Sequence, residues 1–268
     1  MTTMPVIAAA EWGGEFEGAL DPISALFEFP AILDLGPLSI NRTILIAWFM
    51  TLVAGLIFVV AFRNPQIVPG KLQAACEAIV EFVRENIALE IIGPRGTKFV
   101  PLLTTFMVFI FFMNFAKITP FMMLPPTSRA AWPLFLALTA WVVYVGVGIK
   151  EQGFGSYFKE LAFPPGVPKV LYVILTPIEV VSNLILRPFT LAVRLFANMV
   201  AGHILIVITL VAIHVFLPSF PVGWSLGVFA LLVSPAVFGF ELLIIILQAY
   251  IFTMLTAVYI ASSMEPAH

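Results

Sequence analysis

Apolar residues run almost without interruption at about 44 to 62, 99 to 116 and 131 to 149. Each stretch is long enough to cross a ~30 Å hydrocarbon layer once, as a helix rising ~1.5 Å per residue. They predict three upright spans. Between the first two the pattern becomes two-sided. Leu72, Ala75, Ile79, Val83 and Ile87 recur at helical spacing, while Glu77, Glu81, Arg84 and Glu85 take the other side. This predicts an amphipathic helix at about 70 to 92 that lies on the membrane surface.

Two further apolar runs are too long for one vertical crossing. The first extends from Thr176-Pro177, a cap followed by a first helical residue, to about Phe216, and the second from about Ser225 to Ile260. The first run, of roughly 40 residues, makes ~60 Å of helix, about twice the bilayer core, and the second is nearly as long. Either each breaks into two short spans, or both lie steeply tilted. Pro188 and Pro235 can kink them but are the only obvious breakers inside the runs, so tilt is the expectation. The short connection "LPSFPVGW" makes the two runs an antiparallel hairpin.

The expected fold is an all-α polytopic membrane protein. An acidic tail occupies 1–43, three spans with the interfacial helix 44–149, a Gly-, Pro- and Lys-rich loop 150–176, and the long hairpin 177–263. No internal repeat is visible.

Composition agrees with that class: 61% of the 268 residues are hydrophobic and only 10% charged. A net charge of -2 points away from nucleic acid. The single Cys76 can form neither an internal disulfide nor a cysteine-rich metal site, so no metal or cofactor is expected. The first 43 residues carry six acids and one base, Arg42. That is the profile of neither a secretory signal nor a transit peptide, so the first span is expected to direct insertion.

Basic residues set the orientation. With the amino terminus outside, the inner loops hold Arg63, Lys71, Arg84, Arg95, Lys98, Lys150, Lys159 and Lys169. The outer segments hold Arg42, Lys117 and Arg129. This bias places the carboxy terminus in the cytoplasm.

The two remaining basic residues, Arg187 and Arg194, lie within the first long run. Glu179, Asn183, Arg187, Thr190, Arg194 and Asn198 follow one another at steps of three or four, which makes one polar stripe on an uninterrupted helix. His203 falls about half a turn away from Arg194. On the second run Glu241 and Gln248 share a face, and a buried carboxylate is a natural partner for the His203 imidazole. Simpler readings stand beside these. Asn183, Thr190 and Gln248 can merely bond helices together, Arg187 can snorkel or pair with Glu179, and His214 fits an interfacial residue. Arg194 has no acid within a turn, and a charge there costs at least ~2.5 kcal/mol, so it is the leading functional candidate.

The stretch "RPFTLAVRLFANMVAGHILIVIT" resembles the most characteristic part of the membrane-embedded a subunit of rotary F-type ATP synthases. "ELLIIILQAYIFTMLTAVYIASS" is similar to that family's carboxy-terminal helix, and "FMNFAKITPFMMLPPTSRAAWPLFLAL", more loosely, to its middle region. The resemblance spans roughly residues 40 to 263. Lys117 and Arg129 depart from the family's pattern, in which neutral or acidic residues are more usual.

The resemblance implies a non-catalytic stator subunit in a bacterial plasma membrane, beside a rotating ring of c subunits. Its other partners would be b-type peripheral stalk subunits, the remaining ATP synthase subunits and membrane lipid. Arg194 would meet the ring carboxylate, force release of its ion and block leakage between two half-channels. His203 and Glu241 would line the outer path and Glu179 with Asn183 the cytoplasmic exit, with Gln248 and Asn198 along the same route. The transported ion would be H⁺, although the choice between H⁺ and Na⁺ rests mostly on ligands in the c subunit. Two other classes can bury such groups. A stand-alone secondary transporter or channel usually shows paired halves with interrupted helices, and none are seen. An intramembrane enzyme needs a motif such as H-E-x-x-H or G-x-S-x-G, and neither occurs.

Overall fold

The computed structural model describes residues 31–35, 38–119, 122, 126–162, 172–219, 221 and 223–264. Five of the acidic-tail carboxylates, Glu11, Glu15, Glu17, Asp21 and Glu28, lie outside the described residues, as do 163–171 of the loop.

The chain enters through a short antiparallel hairpin, β1 (Ala31–Leu35) and β2 (Leu38–Asn41), these being the only strands among the described residues. Helices follow: α1 (Arg42–Phe62), α2 (Lys71–Val83) continued by a π-helical segment (Arg84–Ile92), a 3-10 turn (Pro94–Phe99), α3 (Val100–Phe115) and α4 (Ala131–Gln152). Then come α5 (Phe154–Ala162), α6 (Tyr172–Val181), a π-helical turn (Ser182–Leu186), α7 (Arg187–Phe216) and α8 (Trp224–Met264). Among the described residues, five helical stretches are long and apolar enough to cross a membrane. They are Arg42–Phe62, Pro94–Phe115, Ala131–Gln152, Ile174–Phe216 and Trp224–Met264.

The first long run is one uninterrupted helical stretch, and it starts at Tyr172 rather than Pro177, taking in part of the expected loop. Its 43 apolar-window residues and the 41 of α8 correspond to ~60 Å each. The π-helical turn sits where Pro188 requires it. A proline lacks the N–H of an i→i−4 bond and its ring crowds the carbonyl four residues back, which is Leu184, inside Ser182–Leu186. Widening that turn relieves the clash without ending the helix.

Four helices meet in the central core, with Phe106 and Ile110 from α3, Leu136, Ala137 and Ala140 from α4, Leu191, Ala192 and Leu195 from α7, and Ala249 and Phe252 from α8. Alanines at these contacts let the backbones approach, which is how helices associate where lipid offers no hydrophobic gain. Phe106 and Phe252 meet edge-on at 5.6 Å between ring centroids. Around this core, α1 packs on α3 through Ile46, Ala47, Met50, Met113 and Ala116. Val83 and Ile87 secure the surface helix against Val100, Leu103 and Ala257. Leu72, Ile79 and Phe82 stay uncovered, the apolar side that an interfacial helix gives to lipid.

α7 and α8 form the hairpin. Arg187 reaches Ser262, Asn198 reaches Gln248, Gly202 lies against Glu241, and Gly227 closes on Leu217, so the contacts run antiparallel along the whole length. At the tip, a Cβ on Gly227 would land on the backbone of Leu217 and Phe216, which has no side-chain freedom with which to yield. Gly227→Ala should therefore cost about 1–3 kcal/mol of overpacking. It should lower the thermal unfolding midpoint of the detergent-solubilised complex by several degrees, whereas an unchanged midpoint would show that the tip is looser than this contact implies.

Candidate intramembrane ion path

α7 buries one face, made of Pro188, Leu191, Ala192, Leu195, Met199, Gly202, His203 and Ile206. Their spacing of three and four is that of a helical stripe. Arg194 is on the opposite, exposed side with Phe189, Val193, Ala197, Ala201 and Leu205. Among the described residues no hydrogen bond, ion pair or aromatic ring reaches Arg194. A guanidinium on an otherwise apolar outer face, in a helix of membrane-spanning hydropathy, is a costly arrangement that a partner from outside the chain would relieve. His203 points the other way and is buried at 4% exposure.

The polar stripe expected from sequence is not continuous. The π-helical turn Ser182–Leu186 changes the helical phase between Glu179 and Arg187. Asn183 bonds back within its own helix, its Nδ2 donating to the Glu179 carbonyl at 2.9 Å and to Glu179 Oε2 at 3.0 Å. The Tyr144 hydroxyl donates to the Asn183 carbonyl at 2.8 Å, which secures α4 to this turn. Arg187 makes no pair with Glu179. It crosses to α8 instead, donating from Nη1 to Ser262 Oγ at 3.0 Å with its guanidinium carbon 4.9 Å from the centre of the Tyr259 ring. Arg187 is thus a strut between helices.

One turn beyond Arg194, Asn198 Nδ2 donates to Gln248 Oε1 across the hairpin at a long 3.4 Å. The Gln248 Nε2 group is buried with no partner among the described residues.

The remaining acid of α8 is where sequence and structure part. Glu241 is fully buried, but its carboxylate is bound by Lys117, from the turn after α3, and not by His203. Both His203 ring nitrogens and Glu241 Oε1 lack a hydrogen-bond partner among the described residues. Gly202, the residue before His203, fits directly over the ion pair, and a Cβ there would overlap both the Lys117 ammonium and the Glu241 carboxylate. Nearby, Asn114 Oδ1 accepts from the Thr127 hydroxyl at 2.9 Å while Asn114 Nδ2 has no hydrogen-bond partner among the described residues. Buried polar atoms without protein partners are the ones that bind water. This end of the hairpin is therefore a hydratable polar cluster, whereas the Glu179–Asn183 end is closed on itself.

Sequence reasoning missed Lys117, which it assigned to an exposed outer segment. One signal was available: a lone carboxylate inside an apolar helix needs a cation or a proton, and Lys117 is the first base after α3.

No group of three His, Cys, Asp or Glu side chains that could hold a metal occurs among the described residues. The fold and cluster define a polytopic helical membrane protein with an internal polar line and an unpartnered arginine on its flank. Residues 44–261 match the family model described as ATP synthase A chain. The chain is similar to ATP synthase subunit a of Rhodococcus erythropolis, at 44% identity over 85% of this chain and 84% of that one. It is also similar to the subunits a of Frankia alni, at 41% identity over 92% and 87%, and of a Parafrankia species, at 41% over 99% and 89%. The chain belongs to the ATP synthase subunit a family.

Proposed function

We propose that this chain is the ion-translocating stator subunit of a rotary ATP synthase in a bacterial plasma membrane, with its amino terminus outside and H⁺ as its ion. The observation that carries the reading is Arg194, a guanidinium on an exposed apolar flank with no partner among the described residues. A carboxylate on each subunit of a c-ring passing that flank is the complement it needs. Because guanidinium does not lose its proton, it stabilises the ionised carboxylate and makes that carboxylate give up its ion before moving on.

His203, Glu241, Gln248 and Asn198 form the outer half of the path on this reading, supported by their burial and their unpartnered polar atoms. Glu179 and Asn183 form the cytoplasmic half. The long α6–α7 stretch and α8, at ~60 Å each, fit the membrane when steeply tilted, and an oblique hairpin suits the curved side of a ring. Chemistry on ATP belongs to other subunits, and the b-type stalk holds this one still.

Affinity purification of the tagged chain in mild detergent tests the assignment. It should bring down a ring of small, carboxylate-bearing membrane subunits and a nucleotide-hydrolysing sector in fixed proportion. Recovery of the chain alone from membranes that synthesise ATP would overturn it.

A further inference from the structure

Lys117 has no role in the ion path drawn above, yet among the described residues it is the largest charged side chain enclosed in the protein. It is 1% exposed and joined to a carboxylate that is 0% exposed, 124 positions further along the chain. An ion pair this deeply enclosed is not retained for stability alone, since well-packed apolar residues would serve as well or better. Its surroundings point to a task. The titratable groups of this region are Lys117 from the turn after α3, Glu241 from α8 and, on α7, His203, the residue that follows the Gly202 against which the pair lies. Glu241 Oε2 is taken by the ammonium, whereas both imidazole nitrogens lack a hydrogen-bond partner among the described residues. Gly202 leaves the pair just enough space to lie against α7.

We infer that Lys117 is a positioning residue of the outer path: it is the fixed counter-ion that holds the Glu241 carboxylate in place, so that the His203 imidazole is the group that takes up and passes on the proton. Two charges that cancel make a polar wall that water can follow. Beside them a single imidazole handles the proton, taking it on one ring nitrogen and releasing it from the other. This assignment rests on the ion-path reading above.

The test is proton flux through inverted membrane vesicles carrying the whole complex, measured from pH 6 to 9 and normalised to the amount of this chain. Lys117→Met should lower flux about tenfold or more and change the shape of the flux–pH curve, because the stranded carboxylate then titrates on its own account. Lys117→Arg should keep at least half of the flux. The neutral pair, Lys117→Met with Glu241→Gln, should carry at least about threefold more flux than Lys117→Met alone and lose the altered curve shape of that variant, since no charge is left uncompensated.

Parental flux and curve shape in Lys117→Met would overturn the assignment. So would a neutral pair no better than the worse single variant, because Glu241 would then itself be a carrier. If Lys117→Met fails to accumulate, the Arg variant and the neutral pair still decide. Arg194→Ala vesicles run alongside separate the two levels: flux persisting there removes the ion-path reading itself. Flux lost there but unchanged in Lys117→Met removes only the counter-ion.

Discussion

Vesicles whose complex carries Arg194→Ala should show no ATP-driven proton pumping above background, with the subunit and its ring still assembled in normal amounts. A ring carboxylate that ionises in the membrane without its cation is a buried charge stripped of its partner. That costs about 3–5 kcal/mol, or roughly 10²- to 10⁴-fold in rate. Assembly should survive because Arg194 is on the exposed flank and holds no other described residue in place. Arg194→Lys should fail nearly as badly. An ammonium is a point charge that can lose its proton when buried, and it lacks the planar fork that engages a carboxylate with two bonds. Quenching of a pH-sensitive dye on ATP addition is the measurement, and near-normal quenching in Arg194→Ala vesicles would end the assignment of this residue.

The second large effect is expected at Gly202. Its missing Cβ is the space into which the Lys117 ammonium and the Glu241 carboxylate fit. Both are the ends of flexible side chains and can retreat from an added methyl, but each is enclosed and each holds the other. Moving either one therefore loosens a buried ion pair. Gly202→Val should cut proton flux about tenfold or more, Gly202→Ala less, with subunit amounts unchanged. The penalty should shrink when Gly202→Ala is placed in the chain that already carries Lys117→Met and Glu241→Gln, because the groups it displaces are gone. Parental flux in Gly202→Val would show that the ion pair has room to spare.

The comparison of sequence and structure turns on the range of each interaction. The spans were legible because a lipid-facing helix is apolar on every side and its length is set by the bilayer, so a local window suffices. The continuity of the two long runs followed from the scarcity of breakers. That Arg194 and His203 face opposite ways was also legible, since no phase change intervenes between them. The reading failed wherever a distant element or a change of helical period decided the outcome. The π-helical turn before Pro188 broke the stripe that a constant 100° step had drawn through Glu179 and Arg187. Arg187 left its helix for Ser262 and Tyr259, 75 and 72 positions away. Glu241 was given the nearest chemically suitable partner, His203, because nothing local to either residue points to a lysine in another helix pair. The β1–β2 hairpin escaped notice among the tail's acids.

The break in the polar stripe has an electrical meaning. Glu179 and Asn183 close on each other at one end of the hairpin, and Lys117, Glu241 and His203 gather near the other. From Asn183 to His203 is twenty residues of helix, ~30 Å, and the outer flank between them is mostly hydrocarbon, broken by the exposed Thr190 and Arg194 and by the half-buried Arg187, which is held to Ser262. A voltage across the membrane falls most steeply where little is polarisable. Nearly all of it is therefore dropped over this stretch, as across the insulator of a capacitor whose plates are the two polar ends. On the proposed function, each elementary charge that a ring carries across does close to the full ~2.3 kcal/mol of work per 100 mV, instead of losing it to a conducting shunt inside the protein.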